Sequence, residues 1–317
     1  MNTNKMKAVV CTKYGPPEVL QFREVKKPAP GSNEVLIRIY ATTVTSGDCR
    51  IRSLNLSGVP LLQRILARIV LGISKPRRPI QGLWLAGEIE ATGKSVKRFH
   101  VGDRVYARTP DMKFGAYAEY ACLTDKSFMA LIPSNLSYEE AIAIPFGGVT
   151  ALFFLEKAKI QKGNRVMIYG ASGAVGSLAV QIAKYYGAFV TGICSTPNID
   201  LIKSLGADKT IDYMKESFLA ENHLYDIIFD TVGKISYTKI KSILKFDGKF
   251  ISVVSSGHVQ SKIKDLITIT ELAASGNLKP VIDRKYSLEQ MVEAHRYVDL
   301  GHKKGNVVIT VGHNQLN

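Results

Sequence analysis

The stretch RVMIYGASGAVGSLAVQIAKYYGAFVTGICS, residues 165–195, restricts this chain more than any other. It opens with an apolar run that ends at Gly170, and Gly173 and Gly176 follow. After the glycines, Val175, Leu178, Ala179, Ile182, Ala183 and Tyr186 recur at helical spacing on one face. A second apolar run, AFVTGICS, closes the unit. Buried strand, glycine turn, amphipathic helix and second strand together predict a βαβ unit of the dinucleotide-binding kind. Each small residue has a task there. Gly173 lets the backbone approach a pyrophosphate seated on the positive end of the helix, and Gly176 allows helix and sheet to pack closely. The spacing is GxxGxxG rather than the commoner GxGxxG. The residues predicted to cradle the phosphates are Gly170, Ser172, Gly173, Ala174, Val175 and Gly176.

The end of the second strand decides between the two nicotinamide cofactors. An acid about 20 residues past the glycines would bind a ribose 2′-hydroxyl and repel a 2′-phosphate. Ser195 and Thr196 stand there instead, with Lys203 and Tyr213 placed to close the pocket, so NADPH is the expected cofactor. The plainer reading of the same two hydroxyls is that they cap the next helix.

Around this unit the chain changes character. The first ~125 residues read as β-rich, with runs such as Val35–Tyr40 and Arg104–Ala107 between turn-rich pieces. From Arg165 strands alternate with helices expected near Ala174, Pro197, Lys215 and Ile235, which predicts right-handed βαβ units and a parallel sheet, an α/β fold. From about Glu271 two short helices and the strand GNVVITV are expected to return to the first domain. A hydrophobic content of 46% excludes intrinsic disorder. Cys11, Cys49, Cys122 and Cys194 are scattered, without a disulfide framework or zinc spacing. With no secretory h-region in MNTNKMKAVV, and only 15 apolar residues at Ala141–Leu155, the expectation is a cytoplasmic protein without a membrane span.

Several segments match one family in order along nearly the whole chain: GDCRIRS, LAGEIEATGKSVKRFHVGDRVYA, FGAYAEYACL, IPFGGVTALFFL, YGASGAVGSLAVQIAKYYGA, IKSLGADKTIDY, YDIIFDTVG and KPVIDRKYSLEQMVEAHRYVDLGHKKGNVVI. The chain resembles the zinc-independent medium-chain dehydrogenase/reductases, in their quinone oxidoreductase (zeta-crystallin-like) branch. That resemblance implies a GroES-like β-barrel catalytic domain, 1–126 with 269–317, interrupted by a Rossmann doubly wound parallel sheet at 127–268. It implies a reductase that passes hydride from NADPH to a quinone or α,β-unsaturated carbonyl. Thr150, in GGVTA, matches the position beside the nicotinamide, although a helix threonine can equally bond its own backbone. Thr45 and Asp48 fall on the barrel loop facing that ring in relatives, where many have Asn in place of Thr45. Asp48 is better suited to anchoring the loop than to acid chemistry. Val232, Val254 and Asn306 complete the implied cofactor set, and the family usually carries Lys where Asn306 stands.

Zinc-bearing relatives have an early barrel Cys, a Gly-His-Glu motif and a four-cysteine lobe. Here the corresponding region reads QGLWLAGEIE, no such lobe exists, and His295 and His302 lack a third ligand in register, so no metal is expected. Without a metal to polarise an alcohol oxygen, reduction of an activated C=C or a quinone is the easier chemistry. Only the residues from His258 to Lys264 lie between GKFISVVSSG and DLITITELAASG. Relatives are longer there, so a five-stranded sheet is expected and a homodimer is open.

The net charge of +15 is uneven: residues 1–130 hold 21 basic and 10 acidic side chains. Cys49 to Gly87 has no acid but seven basic residues, and LLQRILARIVLG sets Arg64 and Arg68 four apart on a predicted helix. That helix suits a membrane surface, a substrate cover or a solvated arginine face with apolar packing beneath. Two other functions share the pattern: reduction of unsaturated acyl thioesters, whose phosphate-bearing carrier would meet the basic barrel, and a non-enzymatic NADPH-sensing or RNA-binding role. RNA binding wants aromatics among the arginines, and Trp84 is the only aromatic between Cys49 and Gly87.

Overall fold

The computed structural model describes residues 4–57, 61–110, 113–220, 223–257 and 259–313. His258, at the head of the short segment 258–264, lies outside them, as do residues 58–60 of the basic stretch. The chain forms two compact units, Met1–Ile142 with Ile282–Asn317, and Ala143–Val281.

The first passage through the barrel unit runs β1 (Lys5–Cys11), β2 (Leu20–Lys26), β3 (Glu34–Val44), α1 (Ser46–Ser53), α2 (Leu61–Leu71), β4 (Trp84–Thr92), β5 (Arg104–Arg108), β6 (Tyr120–Thr124), β7 (Met129–Leu131) and α3 (Tyr138–Ile142). The second unit holds α4 (Pro145–Lys157), β8 (Arg165–Tyr169), α5 (Ala174–Tyr185), β9 (Phe189–Cys194), α6 (Ile199–Ser204), β10 (Lys209–Asp212), β11 (Tyr225–Asp230), α7 (Tyr237–Ile240), β12 (Leu244–Ser252) and α8 (Ile263–Ala274). The chain then returns to the barrel as β13 (Ile282–Ser287), α9 (Met291–Asp299) and β14 (Asn306–Thr310).

Strand β3 organises the barrel. It pairs with β4 along its length, and its free side is shared by two neighbours. Glu34–Arg38 pairs with β6, and Ala41–Val44 with β14. Two register shifts against β4, at Leu36/Ile37 and Ile39/Ala41, accompany this change of partner. Bulges of this kind bend a strand and raise its twist, which lets a sheet curl. The alternation that marked Val35–Tyr40 as a strand delivers Val35, Ile37 and Ile39 to one buried cluster with Leu85, Ile89 and Val307.

The second unit is a five-stranded parallel sheet in the order β10-β9-β8-β11-β12. The order reverses at β8, so the glycine turn leaves the sheet at its topological switch point, where open α/β sheets bind ligands. Helix α4 is apolar all round because it lies between α5 and α8. The apolar stretch is longer than its 15-residue core suggests. Among the described residues Tyr138–Lys157 alone is long and apolar enough to cross a membrane, and 67% of it is buried inside the protein.

Five expectations shift. The barrel extends past 126, because β7 pairs with β5 and α3 packs on β3 and β4. Residues 269–281 stay with the second unit, since α8 starts at Ile263 and rests on α4. β13, missed in the sequence, pairs parallel to β14. The helix expected near Lys215 is absent: the Asp212 carboxylate accepts from Met214 N–H, the Asp212 carbonyl accepts from Lys215 and Glu216, and only a single turn at Phe218–Ala220 follows. At Ile235 the helix shrinks to the one turn of α7.

Candidate active site

In the second unit the glycine turn has the geometry the sequence requires. Gly170 adopts φ +77°, and a Cβ there would lie 2.3 Å from Val232 Cγ2. At Gly176 a Cβ would lie 2.2 Å from the Gly170 carbonyl oxygen, so only glycine lets α5 leave the strand this closely. Gly173 is the N-cap of α5 in extended conformation, and no side chain caps the helix. The first-turn amides, among them those of Ala174 and Val175, are therefore left to an outside acceptor at the positive helix end. Gly147 on α4 comes so near this turn that a Cβ would lie 2.1 Å from the Ala174 carbonyl, which explains the paired glycines of GGVTA.

The carboxyl ends of the neighbouring strands complete the rim. After β11, Asp230 accepts from the backbone N–H groups of Val232, Gly233 and Ile235 and thereby holds that turn. Val232 packs against Gly170, Val254 packs over Gly233, and both valines keep exposed apolar surface. Thr150, on α4, donates its hydroxyl to the Phe146 carbonyl at 2.7 Å, as a helix threonine does. Its lone pairs stay available to accept a hydrogen bond.

At the end of β9 the two hydroxyls part company. Asn198 is buried and donates Nδ2 to Ser195 Oγ at 3.0 Å and to Ser172 Oγ at 3.2 Å, tying the phosphate turn to the second strand. Its Oδ1 is buried without a partner. Thr196 instead donates to the Asp212 carboxylate at the end of β10, 2.5 Å away. That bond holds Asp212 below the ordinary carboxylate range, so it is ionised at neutral pH, with Lys215 Nζ at 4.0 Å. A carboxylate therefore does approach this pocket, and Thr196 is not a spare phosphate donor. Ser195 is the remaining one. Tyr213 is half-exposed, with its ring 6.3 Å from that of Tyr169. Asn198 and Asp212 are candidate site residues that the sequence pattern does not single out: the first is hidden in a short turn, the second lies one strand away.

In the barrel unit Thr45 and Asp48 form a capping box at the start of α1. Thr45 N–H and Oγ1 both donate to Asp48 Oδ2, at 2.8 and 2.5 Å, and Asp48 N–H donates to Thr45 Oγ1 at 3.2 Å. Both residues are buried, and burial raises the Asp48 carboxyl to about 6. Asp48 is thus the anchor of the loop. The antiparallel register pairs Val307 with Val44, and Asn306, also buried, precedes Val307 as Thr45 follows Val44, so two positions far apart in the sequence lie at the same end of this strand pair.

The structure brings Cys49 Sγ within 3.4 Å of His295 Nδ1, a pairing the sequence gives no hint of. Both are buried; burial pushes the thiol up and lowers the imidazole to about 3, leaving a neutral core pair. Among the described residues no three His, Cys, Asp or Glu side chains are grouped to hold a metal ion. The donors present do not fit zinc, which needs three or four.

One chain thus carries both a glycine-turn parallel sheet and a barrel with a capped loop, the two parts of a nicotinamide-dependent oxidoreductase. Residues 31–134 match the alcohol dehydrogenase GroES-like domain family and 205–309 the family described as zinc-binding dehydrogenase. The tomato (Solanum lycopersicum) 2-methylene-furan-3-one reductase is 34% identical over 96% of this chain and 79% of its own. The pig (Sus scrofa) quinone oxidoreductase is 30% identical, covering 95% of each. Among solved structures, the quinone oxidoreductase of Coxiella burnetii superposes with a TM-score of 0.84 at 28% identity, over 97% of this chain and all of that one. The chain belongs to the medium-chain dehydrogenase/reductase family, in its quinone oxidoreductase branch.

Proposed function

We propose that this oxidoreductase takes NADPH and, without a metal ion, reduces quinones or α,β-unsaturated carbonyl compounds. The observation that carries the reading is the end of β9, where Ser195, backed by Asn198, stands in place of the acid that selects NADH. The names of the tomato and pig relatives, an enone-type and a quinone reductase, support the substrate class. The two-donor Cys49–His295 pair supports the metal-free route.

When bound, the cofactor supplies a hydride. The uncapped α5 amides would hold the pyrophosphate and Ser195 Oγ would donate to a 2′-phosphate, with the unpartnered Asn198 Oδ1 the acceptor for a ribose hydroxyl. Val232 and Val254 would offer apolar surface to the nicotinamide, and Thr150 Oγ1 would accept from its amide, its own proton being committed to Phe146. In the barrel, Asp48 fixes Thr45 and occupies its hydroxyl proton, which leaves water as the group that would supply the proton completing reduction. The protein orients its reactants and keeps its own acids out of the chemistry.

The test is a panel of quinones, enones, aldehydes and acyl thioesters followed at the nicotinamide absorbance, with both cofactors and with chelator. Turnover of 1,4-benzoquinone or an enone with NADPH, unaffected by chelator, is expected. Fastest turnover of an unsaturated acyl thioester moves the substrate assignment, and activity lost to chelator and restored by zinc overturns the metal-free route.

A further inference from the structure

Helix α2 is turned inside out. On a helical projection Leu61, Leu62, Ile65, Leu66, Ile69 and Val70 cover one half of its circumference. In a helix belonging to a protein core that half faces inward. Here these six side chains, together with Ile73 beyond the helix, are 46% to 73% exposed, and no residue of α2 is buried. The residues turned partly inward are Ala67 and Leu71, on the opposite side. The cavity near its C-terminal end, between Tyr14, Ile51 and Leu71, holds about 10 Å³, room for one water at most.

The surroundings are uniformly cationic. Arg64 and Arg68 lie along one border of the apolar half. Arg50, Lys75, Arg77 and Arg78 are exposed before and after the helix, and no acid occurs from Cys49 to Gly87. We propose that α2 and its basic flanks form a docking surface for an anionic lipid bilayer. The helix lies in the membrane plane with the leucine–isoleucine face in the acyl boundary and the cations at the phosphates. Eleven residues span about 16 Å, too short to cross a membrane but sufficient for an in-plane anchor. A fluid surface needs no groove to receive a convex aliphatic face, and the only charge that satisfies this rim is negative. A second copy of the chain would bring the same arginines against one another, and a nucleic acid would leave the apolar half unburied. The inference is independent of the substrate and cofactor.

The experiment is flotation of the full-length protein with vesicles of phosphatidylcholine alone or with about 30% phosphatidylglycerol. At least about tenfold more protein is expected on the anionic vesicles, falling as salt rises. Leu62→Gln/Ile65→Gln/Ile69→Gln and Lys75→Gln/Arg77→Gln/Arg78→Gln are each expected to lower that binding about tenfold or more while melting and cofactor affinity stay as in the parent protein. Equal partition on both vesicles, no flotation, or full flotation of the first variant overturns the proposal. It is also overturned if the first variant turns a dimer into a monomer, by light scattering, without changing flotation.

Discussion

The two units hold their candidate groups by opposite means. In the parallel sheet the work falls to the backbone: glycines at 170 and 176 that admit no side chain, and an α5 terminus whose amides are left to a ligand. In the barrel it falls to buried side chains that pair with one another, Thr45 with Asp48 and Cys49 with His295. A backbone site tolerates almost any neighbour but no added atom at its glycines. A side-chain site tolerates small changes in shape but not the loss of a partner, because a buried polar group left alone costs about 1–3 kcal/mol.

That contrast can be broken in measurable ways. Gly176→Ala should have the largest effect, weakening NADPH binding on the order of 100-fold in a fluorescence titration, since the new methyl must displace the Gly170 carbonyl. Ser195→Asp should cost about tenfold in NADPH affinity while sparing or improving NADH; equal loss of both would remove Ser195 from cofactor choice. Asp48→Ala should lower stability by about 1–2 kcal/mol in chemical denaturation through loss of the α1 cap. It should leave NADPH affinity within error, and a matching fall in affinity would show that the barrel side chains serve the cofactor as well. Asn198→Ala should be mildest, about threefold in cofactor affinity, because Ser172 and Ser195 keep their own hydroxyls.

The same contrast explains what could be read beforehand. The glycine turn and its helix were legible because close approach of backbone demands glycine at fixed spacing, and local spacing survives in a sequence. The cap at Thr45 and Asp48 was legible as a loop anchor for the same reason: its partners are three residues apart. Cys49 and His295 meet only through the packing of α1 on α9, and Asn306 comes to the Thr45 end of β3 only through the register of β14. Asp212 looked like the plain end of a strand until the order β10-β9 brought it to Thr196. The exposed face of α2 had a readable period, but which half of the helix would face the protein did not follow from the period.

The seam between β3 and β14 also governs the order of assembly. Val44 finds Val307 only after the entire intervening sheet unit has been synthesised. A growing chain can complete Ala143–Val281 from contiguous segments, while one margin of β3 waits with its amides and carbonyls unmated until the last strand emerges. Edges held open in this way are where strands of separate chains join by mistake. Strand β14 therefore acts as a latch, and its removal should leave the Ala41–Val44 margin of β3 open to aggregation.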